Sequence, residues 1–198
     1  MSEEAERCVP GNFTSMKARN KQAAIYAGTF DPMTKGHLDL IERAAHIFDR
    51  LIVAVAEHSR KNPLFSLEER LEQARGVVRK LPNVEVDRFS GLLVDYARAK
   101  GVHVLVRGLR VFSDFEFEFK MALTNRAMTP EVETLFLMTK EDYSFLSSST
   151  VREIAELGGQ TAQFVPAVVQ AALKRKLGGA AVVAPAQKRR SQRLAADE

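Results

Sequence analysis

From residue 21 onward the apolar positions follow two alternating rhythms. Short runs rich in β-branched and aliphatic residues, at Ala23–Ala27, Leu51–Ala56, Val84–Phe89, Val102–Val106 and Thr134–Met138, predict five strands. Leu51 to Ala56 is apolar throughout, as a strand buried on both faces requires. The segments between them repeat with helical spacing. Gly36–Asp49 carries Leu38, Ile41, Ala45 and Phe48 on one face. Ser66-Leu67-Glu68-Glu69 is a capping box that opens a helix running to about Leu81. Leu92–Lys100 forms a short helix closed by Gly101. Phe115, Phe117 and Phe119 alternate as a strand would, yet Ser113 and Glu116 form a capping box and no turn residue interrupts the chain to Ala127, so a helix is expected. Thr150–Glu153 is a third capping box, starting a helix that ends at Gly158-Gly159, and Pro166 opens a last helix to Leu177.

Strands alternating with helices predict an α/β fold: a doubly wound, parallel, five-stranded sheet in a single domain over residues 21–177. Such sheets bind ligands outside the carboxyl ends of their strands, where the strand order reverses. The residues just after the strands are therefore where chemistry is sought.

Composition narrows the class. The chain has 198 residues, 45% hydrophobic and 27% charged, which excludes wholesale disorder. A core of about 160 residues buries roughly 70% of its unfolded surface and needs no disulfide. Cys8 is the single cysteine, so neither an intramolecular disulfide nor a cysteine zinc site can form, and a reducing, cytoplasmic setting is expected. No apolar run approaches the roughly 18 residues of a membrane span, and the acidic start is not expected to be a signal peptide. No membrane partner is therefore expected. The net charge is +4, and half of that excess lies in residues 178–198, whose Lys188, Arg189, Arg190 and Arg193 follow a small-residue stretch of linker composition. That tail and residues 1–20 are expected to be flexible extensions. No long basic stripe interleaved with aromatics exists, so nucleic acid is not an expected partner.

After the first strand comes Gly28-Thr29-Phe30-Asp31-Pro32-Met33-Thr34-Lys35-Gly36-His37. Gly36-His37 sets an imidazole and free N–H groups at a helix start, a ready anion site, though a lone pair of this kind also fits a plain helix cap. The fourth strand leads into Arg107-Gly108-Leu109-Arg110, two arginines that can fork onto phosphates or lie solvated in a loop. The loop after the second strand carries His58, Arg60 and Lys61. Tyr143-Ser144-Phe145-Leu146-Ser147-Ser148-Ser149 follows the fifth strand, its hydroxyls suited to phosphate oxygens or to N-capping. His46 and His103 fall within elements and read as structural. No Gly-x-x-x-x-Gly-Lys-Ser/Thr or Gly-x-Gly-x-x-Gly loop occurs, and no metal-ligand spacing, so no protein metal site is expected.

The string from Gly28 to His37 resembles the His-x-Gly-His signature of the nucleotidylyltransferase superfamily, with Thr34 in place of the first histidine. Together with Arg107–Arg110 and Tyr143–Ser149 it is similar to the phosphopantetheine adenylyltransferases over residues 23–177. The resemblance implies a Rossmann-like nucleotidylyltransferase fold. It also implies transfer of the adenylyl group of ATP to 4'-phosphopantetheine, giving dephospho-coenzyme A and pyrophosphate. It implies catalytic roles for His37, Lys61 and Arg110. Thr29, Lys61, Leu93 and Arg107 would then serve phosphopantetheine. Thr29, Phe30, His37, Gly108, Leu109, Arg110, Glu118 and residues Tyr143 to Ser149 would serve ATP. Mg²⁺ would be carried by the ATP phosphates, and the assembly would be a homo-oligomer, a hexamer. The aromatic density of Phe112, Phe115, Phe117 and Phe119 exceeds what one helix face can bury, which agrees with subunit contacts. Two competitors differ in class. A nucleotidylyltransferase for nicotinamide mononucleotide or a small phosphoalcohol is disfavoured by Thr34 and the Arg107–Arg110 motif. A catalytically dead or nucleic-acid-binding module is disfavoured by the intact set of His37, Lys61, Arg107 and Arg110.

Overall fold

The computed structural model describes residues 22–57, 62–110 and 112–178. The expectations placed on residues 1–20, on Arg60 and Lys61, and on the tail from 179 onward lie outside the described residues. Five strands, β1 (Ala23–Gly28), β2 (Arg50–Ala56), β3 (Val84–Phe89), β4 (Val104–Leu109) and β5 (Glu133–Met138), form one parallel sheet in the order β3-β2-β1-β4-β5. The chain winds outward from β1 to β3 and then returns to the other side of β1. That reversal sets the switch point between β1 and β4.

Among the described residues six α-helices cover the sheet: α1 (Lys35–Ile47), α2 (Leu67–Val78), α3 (Leu93–Ala99), α4 (Phe112–Met128), α5 (Ser148–Glu156) and α6 (Ala167–Leu177). Strand period two divides the core into two layers. Ala24, Tyr26, Leu51, Val53 and Val55 pack with Leu40, Ile41 and Ala44 of α1, with α2 and with Val169 and Leu173 of α6. Ile25, Ala27, Ile52, Ala54 and Leu105 pack on the other face with Val94 and Ala97 of α3. The sheet is thus doubly wound.

Several boundaries differ from the sequence expectation. The first helix stops at Ile47 because Phe48 turns extended and buries its ring, its N–H closing on Ala44. The fourth strand begins at Val104 and runs on through Arg107, Gly108 and Leu109, beyond the expected end at Val106. These three keep pairing with Phe136, Leu137 and Met138 of β5, whereas pairing with β1 ends at Tyr26 and Val106. Beyond that point β1 and β4 part, and the gap between them is the mouth of a crevice. The fifth helix starts two residues before Thr150. Its cap is Ser147, whose hydroxyl accepts the Thr150 N–H at 3.0 Å.

Candidate active site

The parting strands open onto a crevice of about 740 Å³. Its first wall is the loop leaving β1. Phe30 holds a positive φ of 51°, an uncommon conformation for a residue with a side chain, and buries its ring edge-on to His37 at 5.2 Å and to Tyr26 at 5.6 Å. A Cβ on Gly28 would stand 3.0 Å from that ring, so glycine is what lets Phe30 fold back. Asp31 accepts N–H bonds from Leu64 at 2.8 Å and Phe65 at 3.0 Å, tying the loop to the approach of α2. Arg70 is fully buried beneath it. The guanidinium donates to the carbonyls of Thr29, Ala56 and Phe65, fastening the ends of β1 and β2 together. Burial lowers its pKa against the opposing pull of Asp31.

Thr34 and His37 open α1 as a reciprocal capping box. The Thr34 hydroxyl accepts from the His37 N–H at 3.3 Å, and the Thr34 N–H donates to His37 Nδ1 at 3.0 Å. A backbone N–H can only donate, so Nδ1 is the acceptor and the ring proton sits on Nε2, on the side away from Thr34. Burial, then the charges of Arg110 and Arg107, lower the His37 pKa to about 4. The ring is therefore neutral near pH 7 and presents an N–H donor to the crevice it lines. The cap reading of Gly36-His37 holds, and the cap leaves the Nε2 proton turned away from Thr34. Tyr26 lines the same floor, and burial pushes its hydroxyl far above the usual phenol range.

The second wall is β4 with α4. Arg107 donates through Nε and Nη2 to the two oxygens of Glu118, both at 2.7 Å, and through Nη1 to the Ala27 carbonyl at 2.8 Å, where β1 and β4 part. Burial works against its charge, but the Glu118 pairing prevails and raises its pKa. Arg110 repeats the pattern. It donates through Nε and Nη2 to Asp114 at 2.9 and 3.1 Å and through Nη1 to the Leu146 carbonyl at 2.7 Å. Gly108 lies between them. A Cβ there would come within 2.3 Å of Leu40 Cδ1, so this glycine serves the packing of α1 on β4 as well as the open crevice.

The third wall is the loop from Leu146 to Ser149 at the start of α5. Ser148 donates to the Pro32 carbonyl at 2.8 Å and stitches this loop to the first wall. Arg152, one turn further on, lies 3.3 Å from Asp31 and 3.2 Å from the Asn62 carbonyl, and also lines the crevice.

The structure thus gathers Thr29, Phe30, His37, Leu93, Arg107 and Gly108 around one space, together with Arg110, Glu118 and residues Leu146 to Ser149. Four expected residues stand apart from it. The Leu109 side chain is buried. Tyr143 ends a short 3-10 turn beside Gly36, Ser144 bonds back to Glu141, and Phe145 is exposed against Phe164. Lys61 is outside the described residues. Sequence reading missed Asp114, Arg152, Arg70 and Tyr26 as parts of the site. Only Asp114 carried a usable signal, its spacing of four from Arg110.

Comparison with known proteins places this geometry. A family model described as cytidylyltransferase-like matches residues 25–154. A phosphopantetheine adenylyltransferase of Desulforudis audaxviator is 56% identical over 155 residues, 78% of this chain and 95% of that protein. One from Methylococcus capsulatus is 59% identical over 156 residues, covering 79% and 96%. A solved structure from Vibrio parahaemolyticus, provisionally named a nicotinate-nucleotide adenylyltransferase, superposes with a TM-score of 0.59 at 19% identity, covering 79% of this chain and 94% of its own. At that identity it speaks for the fold alone.

Proposed function

The chain belongs to the phosphopantetheine adenylyltransferase family, and from that premise we propose that its crevice transfers the adenylyl group of ATP to 4'-phosphopantetheine. The products are dephospho-coenzyme A and pyrophosphate, as a step of coenzyme A biosynthesis. One observation carries the reading: a neutral imidazole donor and two arginines face one crevice where β1 and β4 part.

The reaction is an in-line displacement. A phosphate oxygen of 4'-phosphopantetheine bonds to the α-phosphorus of ATP while the bond from that phosphorus to the bridging oxygen breaks. The electron pair departs with pyrophosphate. The nucleophile is already anionic near neutral pH, so no general base is required, and catalysis is positioning with electrostatic stabilisation. His37 donates from Nε2 to an α-phosphoryl oxygen as charge builds there, and its depressed pKa keeps it a hydrogen-bond donor without moving a proton. Arg107 and Lys61 hold the attacking phosphate. Arg110, Ser148 and Ser149 hold the departing pyrophosphate. Thr29 serves both substrates. Phe30, Gly108, Glu118 and residues Leu146 to Ser149 enclose the rest of ATP, and Leu93 meets the pantetheine arm.

Mg²⁺ enters with ATP, held by the triphosphate. Among the described residues no group of three or more His, Cys, Asp or Glu side chains is arranged to hold a metal. The crevice carboxylates Asp31, Asp114 and Glu118 are already committed to N–H donors or arginines. We also propose a homohexamer working in the cytoplasm. Supporting assembly, α4 and β5 expose Phe117, Phe119, Met121, Leu123, Leu135 and Met138, more apolar surface than a lone soluble domain commonly leaves to water. No described helix is long and apolar enough to cross a membrane.

The test is pyrophosphate release from ATP across a panel of phosphorylated acceptors. 4'-Phosphopantetheine is expected to give the highest kcat/KM. A preference for nicotinamide mononucleotide or a phosphoalcohol, or no release with any acceptor, would overturn the assignment.

A further inference from the structure

We propose that Asp114 is a positioning residue for Arg110, fixing the edge of that guanidinium which grips the phosphates. The inference rests on reading the crevice as the ATP site. Arg110 leaves the end of β4, and its side chain is about one-third exposed. A long side chain in that position carries large rotamer freedom, which phosphate binding would have to remove. Asp114 removes it beforehand. Its two oxygens take the Nε and one Nη2 proton of Arg110 in a side-on pair at 2.9 and 3.1 Å. The Leu146 carbonyl takes an Nη1 proton at 2.7 Å. With those three N–H groups engaged, each terminal nitrogen keeps one N–H. Both remain to be offered to phosphate oxygens.

The neighbouring arginine supports this reading. Arg107 is held by Glu118 through the same nitrogens and by the Ala27 carbonyl through the same Nη1. Both carboxylates project from α4, and each guanidinium is tied to one main-chain carbonyl at the crevice rim. A carboxylate in the first turn of α4 also favours the helix dipole. A merely structural role of that kind would be independent of Arg110, and that independence is what separates the two roles.

The experiment is a double-mutant cycle on the full chain with Asp114→Ala, Arg110→Ala and the combination. It is read as kcat and as KM for each substrate, with substrate-free crystal structures of the wild type and Asp114→Ala. Asp114→Ala is expected to lower kcat/KM for ATP by roughly 10–100-fold, the scale of a misplaced positioning group. KM for 4'-phosphopantetheine should hardly change, and the guanidinium should leave the Leu146 carbonyl. In the Arg110→Ala background the same substitution is expected to cost less than about twofold, as coupled residues require. Asp114→Asn, which preserves shape, should keep the fold and recover part of the loss. A full loss in both backgrounds, or an Arg110 guanidinium unmoved in the Asp114→Ala crystal, would overturn the inference. If the wild type itself transfers no adenylyl group, the functional reading fails, and the crystal comparison still decides whether Asp114 holds Arg110.

Discussion

Two of the three walls of the crevice, that of β1 and that of β4, are built by different physics. The β1 wall is held from inside. A buried guanidinium, Arg70, fastens three carbonyls, Asp31 takes two backbone N–H groups, and the Thr34–His37 box closes on itself. The β4 wall is held from outside, by ion pairs from Arg107 and Arg110 to carboxylates of α4, a helix whose outer face is largely exposed. Buried backbone anchors cannot be traded for water without loss, whereas partly exposed ion pairs contribute modestly to stability. The β1 wall should therefore fail by unfolding and the β4 wall by misplacement. The group at the chemical step sits on the rigid wall, and the two arginines that hold phosphates sit on the other.

The largest effect is expected from breaking the β1 wall. Arg70→Met leaves buried carbonyls of Thr29, Ala56 and Phe65 unpartnered, at a cost of roughly 3–5 kcal/mol. Thermal unfolding should move down by roughly 10 °C, and a melt unchanged within error would contradict the contrast. Next comes His37→Ala, which removes a transition-state donor. It should cost about 2.7–4 kcal/mol in activation, or 10²–10³-fold in kcat, with little change in KM. Near-normal kcat would remove His37 from the mechanism. On the β4 wall, Glu118→Gln keeps the shape but not the charge that holds Arg107. Roughly a tenfold loss in kcat/KM is expected, with a fall in melting temperature smaller than that of Arg70→Met, and an equal or larger fall would erase the distinction between the walls.

A pH titration sharpens the picture further. The ring carbons of His37, followed by NMR, should titrate near pH 4, and a midpoint near 6.5 would deny the desolvated setting. Because the folded pKa lies below the unfolded one, the unfolded chain takes up the proton first. The stability contributed by neutral His37 is complete above about pH 6.5 and is lost as pH falls towards 4. The smallest effect is expected from a chain cut after Leu177. The relatives match over about 155 residues and nearly their full length, and all the described site residues precede the cut, so kcat and KM should be unchanged. Lost activity in a folded, shortened chain would give the tail a part in the site.

Much of this was legible in the sequence because it rests on local signals. Period-two and helical patterns placed five strands and six helices, and strand-helix alternation pointed to the switch point where His37 and Arg107 meet. Misjudged boundaries have local causes. Arg107-Gly108 reads as lying past the end of the strand, because charge and glycine are depleted in strands, yet pairing with β5 alone carries the strand through it. Ser147 and Thr150 both suit a cap, and only the hydrogen bond decides between them. Arg70 illustrates what no pattern shows. On an amphipathic helix rich in Glu and Arg it reads as solvated charge, and its burial depends on carbonyls 5 to 41 residues away.

The central claim is a direct in-line transfer between two substrates held by these walls. It is tested most directly by the stereochemistry at the α-phosphorus. Adenosine 5'-O-(1-thiotriphosphate) of one known configuration is supplied with 4'-phosphopantetheine, and the configuration of the thio-substituted product is determined. A single displacement predicts inversion. Retention would mean two displacements through an adenylylated side chain, and would contradict a mechanism in which this protein only positions and stabilises.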